Sequence, residues 1–117
     1  MKRCALRLVL FALVMSISGV SSAQDTIPFV PSPMHVVQRM LEVAEITKGD
    51  VLYDMGSGDG RVVIEAAKKY GIRGVGVDLN PDLVAKAREN AAQEGVSHLV
   101  EFRAQDGLTV DISEATV

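Results

Sequence analysis

Cysteine is almost absent from this chain of 117 residues, and histidine is scarce. The single cysteine, Cys4, lies within the first 23 residues. The remaining sequence therefore excludes disulfides, a thiol nucleophile and cysteine metal sites. His35 and His98 are far apart and lack the spacing of metal ligands, which favours surface or packing roles. The sequence predicts no metal site.

An apolar run long enough to span a membrane is also missing. Leu8 to Val14 is shorter than the roughly 20 residues that a span needs. Basic residues precede this run, and Ser21-Ser22-Ala23 follows it, which is typical of a secretory signal peptide over residues 1–23. Cleavage predicts an exported protein, periplasmic or extracellular, with no stable membrane span. An uncleaved segment would leave it membrane-anchored or cytoplasmic, and translation from Met34 would omit the segment.

An excess of positive charge is missing as well. Residues 1–23 carry three basic and no acidic residues, so the rest has 9 Lys and Arg against 15 Asp and Glu. This formal charge of −6 argues against nucleic-acid binding, which needs a basic surface.

Helical and strand patterns alternate from Pro33 onward. Residues 24–32 contain prolines and predict a linker, and Ser32-Pro33 predicts the cap and first turn of a helix. This first helix is predicted to end at Gly49 and to have one apolar face, formed by Val36, Val37, Met40, Leu41 and Ala44. Short strands are predicted at Val51–Asp54, Val75–Asp78 and Leu99–Phe102, with helices between them that end near Gly71 and Gly95. This alternation predicts an α/β fold with a parallel sheet over residues 33–117. A fourth strand is expected to begin at residues 114–117, which suggests a domain present only as its N-terminal half.

A glycine loop with Gly56, Gly58 and Gly60 joins the first strand to the next helix. Glycines at alternate positions allow a sharp turn and a close approach of the backbone to a ligand. Asp54 ends the first strand, Asp78 the second, and Asp106 follows the third. Because ligands bind beyond the carboxyl ends of parallel strands, these acids predict one shared ligand site.

The loop differs from the known phosphate-binding loops. The third glycine of a dinucleotide fingerprint would fall at Arg61, and no Gly-Lys-Ser/Thr follows. Asp54 and Asp59 also flank the helix N-terminus, where they disfavour a pyrophosphate. A ligand with a ribose and a positive charge, but no phosphate, fits better. Asp59 and Arg61 themselves fit either a loop function or simple roles as a helix N-terminal charge and a surface cation.

Three segments together resemble the class I, Rossmann-like methyltransferases that depend on S-adenosylmethionine. Residues 51–61 resemble motif I of that family, residues 74–81 its post-I segment and residues 102–106 its motif II. The Gly-Ser-Gly-Asp-Gly-Arg loop and the Pro31-Ser-Pro-Met34 lead-in are similar to those of the non-SET protein-lysine methyltransferases.

This resemblance implies a role for each motif residue. Asp54, Gly56, Ser57, Gly58 and Gly60 would hold the methionine moiety of S-adenosylmethionine. Asp78 would accept hydrogen bonds from the ribose, Leu79 would pack on the adenine, and Asp106 would bind its amino group. Substrate-facing residues of the family commonly follow the fourth strand, so no catalytic residue is predicted.

The implied function is methyl transfer to an acceptor that is a protein, with lysine favoured, or a small molecule. A module that binds S-adenosylmethionine without catalysis is the first alternative. A nicotinamide-dependent oxidoreductase is the second, and Arg61 at the third fingerprint position disfavours it. An exported enzyme would also need a supply of a cofactor that is made in the cytosol. Oligomeric state is not predicted.

Overall fold

The computed structural model describes residues 28–117. The predicted signal peptide (1–23) and the first part of the predicted linker (24–32) lie outside the described residues and stay predictions. Residues 28–33 form an extended lead-in without helix or strand. The elements that follow are α1 (Met34–Val43), β1 (Val51–Met55), α2 (Arg61–Tyr70), β2 (Arg73–Asp78), α3 (Pro81–Gln93), β3 (Val100–Ala104) and a 3₁₀-helix (Gly107–Thr109).

The strands form one parallel sheet in the order β1-β2-β3. Val51 of β1 lies opposite Arg73 of β2, and Gly74 of β2 lies opposite Val100 of β3. Each strand pair is joined through a helix, α2 or α3, as parallel neighbours require. The predicted α/β class is confirmed.

The start of α3 and the end of α2 lie where the sequence predicts. Asn80 Oδ1 accepts a hydrogen bond from the Asp82 N–H at 2.9 Å, with Pro81 in the first turn of α3. Gly71 ends α2 in the left-handed conformation, with φ of 65°.

Helix α1 differs from its prediction at both ends. Pro33, not Ser32, stands at the N-cap, and no side chain caps this helix. The helix ends at Val43, well before Gly49, with Ala44 as its C-cap. Of the predicted apolar face, Val37 and Leu41 are buried, whereas Val36 and Met40 are 38% and 52% exposed.

The core lies between the sheet and the helices. Helix α2 packs on β1 and β2, α3 packs on β2 and β3, and α1 packs on α2. Phe102 of β3 is 3% exposed and is the one aromatic side chain in the buried core of the described residues. Its ring lies beneath the glycine loop, where it limits which residues the loop can contain.

The last residues run beside β1 at the edge opposite β2. The Tyr53 N–H donates to the Val117 carbonyl at 2.9 Å, and the Val51 carbonyl accepts from the Thr116 and Val117 N–H groups at 2.9 and 3.3 Å. This is the hydrogen-bond pattern of a parallel pair. Residues 110–117 contain no regular strand, so the structure does not form the predicted fourth strand, although residues 116 and 117 bond to β1 where it was expected to begin.

Candidate functional site

The predicted site residues lie at the carboxyl edge of the sheet. Asp54 is the last residue but one of β1, Asp78 ends β2, and Asp106 follows β3. Asp54 lies opposite Gly76, two residues before Asp78, and Asp78 lies opposite Ala104, two residues before Asp106. Parallel pairing therefore brings the three acids to one edge of the sheet, as the sequence predicts.

Backbone hydrogen bonds hold the glycine loop against the end of β2. The N–H groups of Gly56 and Ser57 both donate to the Val77 carbonyl, at 2.7 and 3.0 Å. The Gly58 N–H donates to Asp78 Oδ2 at 2.9 Å. The loop is thus fixed to the strand that ends in Asp78, the residue predicted to bind the ribose.

Gly56 and Gly60 serve the loop for different reasons. Both have positive φ, 80° and 82°, which most side chains disfavour. A Cβ on Gly56 would meet nothing within 4 Å, so this side of the loop is open. A Cβ on Gly60 would lie 2.6 Å from the Phe102 ring and 2.9 Å from Ala87. Gly60 therefore permits packing on the core, whereas Gly56 faces space that a ligand could fill.

Asp54 carries a perturbed carboxyl group. Burial, and then the nearby negative charge of Asp78, raise the pKa of Asp54 above its ordinary value. A half-buried carboxylate beside a second one is costly when both are ionised. A cation bound between them would relieve this cost, so the pair favours a positively charged ligand.

The carboxylate of Asp78 already accepts two backbone hydrogen bonds. Oδ2 accepts from Gly58, and Oδ1 accepts from the Asn80 N–H at 2.9 Å. A carboxylate has about four lone-pair directions, so acceptor capacity remains on both oxygens. Asp78 can therefore orient the loop and also accept from ligand hydroxyl groups.

Apolar side chains are exposed beside these acids. Leu79 is 69% exposed and Leu108 is 95% exposed, although both follow polar strand ends. Asp106 Oδ1 accepts from the Leu108 N–H at 2.9 Å and so begins the 3₁₀-helix. Exposed leucines around strand-end acids suit a flat, apolar ring system with polar edges, such as adenine.

Ser57 points away from the open side of the loop. Its side chain is 6% exposed, and its Oγ has no hydrogen-bond partner among the described residues. The hydroxyl lies beside Gly76, where a Cβ would come within 2.7 Å of it. The Ser57 hydroxyl therefore faces the protein interior, whereas the backbone of Ser57 is bonded to Val77 and Gly60.

Sequence reasoning missed a set of contacts between the loop and the lead-in. Arg61 pairs with Asp59 through two hydrogen bonds, Nη2–Oδ2 at 2.7 Å and Nε–Oδ1 at 3.0 Å. Arg61 Nη1 also donates to the Ser32 carbonyl at 2.9 Å. The Phe29 ring lies against Gly58, where it would overlap an added Cβ. In the sequence, the only sign of this contact is an aromatic residue, Phe29, shortly before the Pro-Ser-Pro segment, and the contact itself is visible only in the fold.

Metal-binding clusters and membrane-spanning helices are both missing from residues 28–117. No group of three or more His, Cys, Asp or Glu side chains in that range is placed to hold a metal ion. None of the helices described there is both long and apolar enough to cross a membrane.

The parallel sheet, the glycine loop and the strand-end acids define a domain of the class I, S-adenosylmethionine-dependent methyltransferases. Comparison with known families gives a narrower assignment. The ANTKMT methyltransferase domain matches residues 54–117, which is over half of the chain, and the chain belongs to this family. The predicted resemblance to the N-terminal part of such methyltransferases is thereby confirmed.

Individual relatives agree with this assignment. A protein-lysine N-methyltransferase of Saccharolobus islandicus is 42% identical over 92 residues, covering 78% of this chain and 57% of that protein. A human lysine N-methyltransferase, named for a component of ATP synthase, is 41% identical over 88 residues, covering 75% of this chain and 37% of that protein. The chain thus spans about half the length, or less, of these relatives.

A solved structure is also similar. The RNA methyltransferase of Salinibacter ruber, in complex with S-adenosylhomocysteine, superposes with a TM-score of 0.73 and 61% identity. The match covers 74% of this chain and 57% of that one. It combines the same fold with high sequence identity.

Proposed function

We propose that this protein is an S-adenosylmethionine-dependent methyltransferase whose acceptor is a lysine side chain of another protein. The observation that carries the cofactor assignment is the Asp54 and Asp78 pair beside the open face of Gly56. Two carboxylates, one with a raised pKa, favour a ligand that is cationic where it meets the loop. Family membership supports the same conclusion.

The described residues fit S-adenosylmethionine in each of its parts. Open space beside Gly56 admits the methionine chain close to the backbone. Asp54 offers negative charge to the cationic groups, and Asp78 has acceptor capacity for the ribose hydroxyls. The exposed Leu79 offers an apolar surface to the adenine, with Asp106 at the neighbouring strand end.

When bound, S-adenosylmethionine supplies a methyl group already activated by a positively charged sulfur. The chain's contribution is therefore mostly binding and orientation. Hydrogen bonds to Val77 and Asp78 fix the loop before any ligand arrives, which limits the ordering needed on binding. No residue of the described range is assigned to the acceptor.

Lysine is the favoured acceptor because the relatives from Saccharolobus islandicus and human are named for lysine methylation. RNA is the second candidate, favoured by the name of the Salinibacter ruber protein at 61% identity. The formal charge of −6 over residues 24–117 supports protein over RNA, because RNA binding relies on basic surface.

Cofactor binding is tested by titration calorimetry with S-adenosylhomocysteine on the protein with its full native chain. Asp78→Ala should weaken binding by about 10- to 150-fold, the equivalent of one charged hydrogen bond of about 1.5–3 kcal/mol. Asp82→Ala is the matched control, because it removes an exposed acid four positions away and should leave affinity unchanged. If Asp78→Ala kept the wild-type affinity, Asp78 would not be the residue that binds the ribose. If the protein bound NAD but not S-adenosylhomocysteine, the cofactor would not be S-adenosylmethionine.

The acceptor is tested by transfer of a labelled methyl group in an extract of the source cell. We expect the label to resist nuclease, to be released by protease and to appear as methyl-lysine in mass spectra after hydrolysis. Label in RNA would overturn the lysine proposal but keep the methyltransferase. Cofactor binding without any transfer would support the non-catalytic module.

A further inference from the structure

The lead-in, residues 28–33, is fixed to the folded domain at its C-terminal end. The Pro33 carbonyl accepts from the Val36 and Val37 N–H groups at 2.9 and 3.1 Å. Val37 is fully buried in the core. The lead-in therefore joins the start of α1 in a fixed direction, and it runs beside the glycine loop before it does so.

Arg61 provides a second attachment. Its guanidinium holds both oxygens of Asp59 and the Ser32 carbonyl at the same time, with the carbonyl at 2.9 Å. The Arg61 and Asp59 side chains are only 29% and 18% exposed, so solvent screens this pair less than a surface ion pair. The Arg61 hydrogen bond to Asp59 lowers the pKa of that carboxyl, which keeps the pair ionised at neutral pH. The loop itself thus holds the lead-in in place.

These attachments place Phe29 over the middle of the loop. Its ring contacts Gly58 at a distance that excludes any other residue at that position unless the ring moves. Gly58 is the loop residue whose N–H bonds to Asp78. Phe29 is nevertheless 44% exposed, although its side chain is apolar and the lead-in that carries it is attached at Ser32 and Pro33. An anchored, half-exposed aromatic ring beside the ligand loop has a surface available for a bound molecule.

We infer that Phe29 is a further cofactor-contacting residue, and that Arg61 is the positioning residue that holds it over the loop. This inference rests on the proposed function. The ring would form a wall against the methionine end of S-adenosylmethionine, where it covers apolar methylene groups and excludes water. Its face also attracts a nearby cation. Asp59 and Arg61 acquire a role in the site that does not require them to touch the ligand.

The test measures affinity for S-adenosylhomocysteine by calorimetry on the full native chain. Phe29→Ala should weaken binding about tenfold, because a half-exposed ring loses its burial against the ligand. Phe29→Tyr should bind within about twofold of wild type, since the ring is kept. Val30→Ala is the matched control, because it truncates an apolar neighbour that is 80% exposed, and it should leave affinity unchanged.

Arg61 is tested through its dependence on Phe29. Arg61→Lys loses the fork that holds Asp59 and Ser32 together, and it should weaken binding by up to about tenfold. In the Phe29→Ala background the same change should have little further effect, because the residue it positions is gone. A merely structural Arg61 would weaken binding by the same factor in both backgrounds, which would overturn its positioning role.

Three other results would count against the wall. If Phe29→Ala bound S-adenosylhomocysteine as tightly as wild type, the ring would be a packing residue only. If it bound more tightly, the ring would block the site and would have to move away before the ligand could bind. If Val30→Ala weakened binding as much as Phe29→Ala, the loss of affinity would come from a disturbed lead-in and not from the loss of the ring. If wild type failed to bind S-adenosylhomocysteine, the proposed function itself would fail, which is a distinct outcome.

Discussion

Gly60 and Gly71 flank the same helix and allow packing to be separated from backbone strain. Gly60 is the N-cap of α2 and Gly71 its C-cap, with φ of 82° and 65°. A left-handed conformation costs an alanine about 1–2 kcal/mol at either position. Only at Gly60 would the new Cβ also meet other atoms, Phe102 at 2.6 Å and Ala87 at 2.9 Å. Overpacking of this kind costs about 1–3 kcal/mol more.

Gly60→Ala should therefore lower the free energy of unfolding by about 2–5 kcal/mol, and Gly71→Ala by about 1–2 kcal/mol. Urea unfolding of the full native chain, followed by far-UV circular dichroism, measures both. Gly56→Ala is a third arm, because its φ is 80° and its Cβ would meet nothing within 4 Å. It should match Gly71→Ala in stability, yet weaken cofactor binding where Gly71→Ala does not.

Two results would refute this reasoning. Equal losses for Gly60→Ala and Gly71→Ala would mean that the Phe102 ring moves aside without cost. Phe102→Leu offers an independent check, because a smaller side chain should make Gly60→Ala less destabilising in that background. Unchanged cofactor affinity in Gly56→Ala would show that the open side of the loop is not the ligand side.

Two further substitutions test the buried polar groups of the site. Because burial and Asp78 raise the pKa of Asp54, its stabilising contribution is present only at low pH and is lost as pH rises through the folded-state pKa. Asp54→Asn should therefore raise the free energy of unfolding at pH 7, and this gain should shrink as the pH is lowered. The same variant should bind S-adenosylmethionine at least about 10-fold more weakly. A lower free energy of unfolding at pH 7, measured by urea unfolding, would contradict this. Ser57→Ala removes a buried hydroxyl without a partner in the described chain and should keep the unfolding free energy within about 1 kcal/mol of wild type or raise it. A larger loss in the same melts would reveal a hydrogen bond to that hydroxyl.

Local signals predicted the elements well where a short stretch of sequence decides the structure. Asn80 caps α3 and Gly71 ends α2 because a side-chain oxygen and a missing Cβ act on their own neighbours. The strand boundaries shift by one or two residues, as at β3, because pairing with β2 sets the ends of a strand. Val36 and Met40 follow the helical period of α1 but are exposed, since periodicity cannot say whether a face has a partner.

The site was predictable in its chemistry but not in its contacts. Spacing alone placed Asp54, Asp78 and Asp106 at one sheet edge, because parallel strands share a direction. The contact of Phe29 with Gly58 joins residues from different elements, and nothing local in either segment encodes it. The contact between Phe102 and Gly60 also joins different elements. From the sequence alone, Gly60 looks like a residue kept small for a ligand, whereas the fold shows that it is kept small for the Phe102 ring.

The charges of the site also bear on the nicotinamide alternative. A dinucleotide would bring its pyrophosphate to the N-terminus of α2, where Asp59 already binds Arg61 through both of its oxygens. That guanidinium also donates to the Ser32 carbonyl, so its charge is paired with Asp59 and three of its N–H donors are already used. Burial, and then the negative charge of Asp78, raise the pKa of Asp54, so the site already bears repulsion between two carboxylates. An anion would add to this repulsion, whereas a cation would relieve it, so the electrostatics select against a pyrophosphate independently of the missing fingerprint glycine.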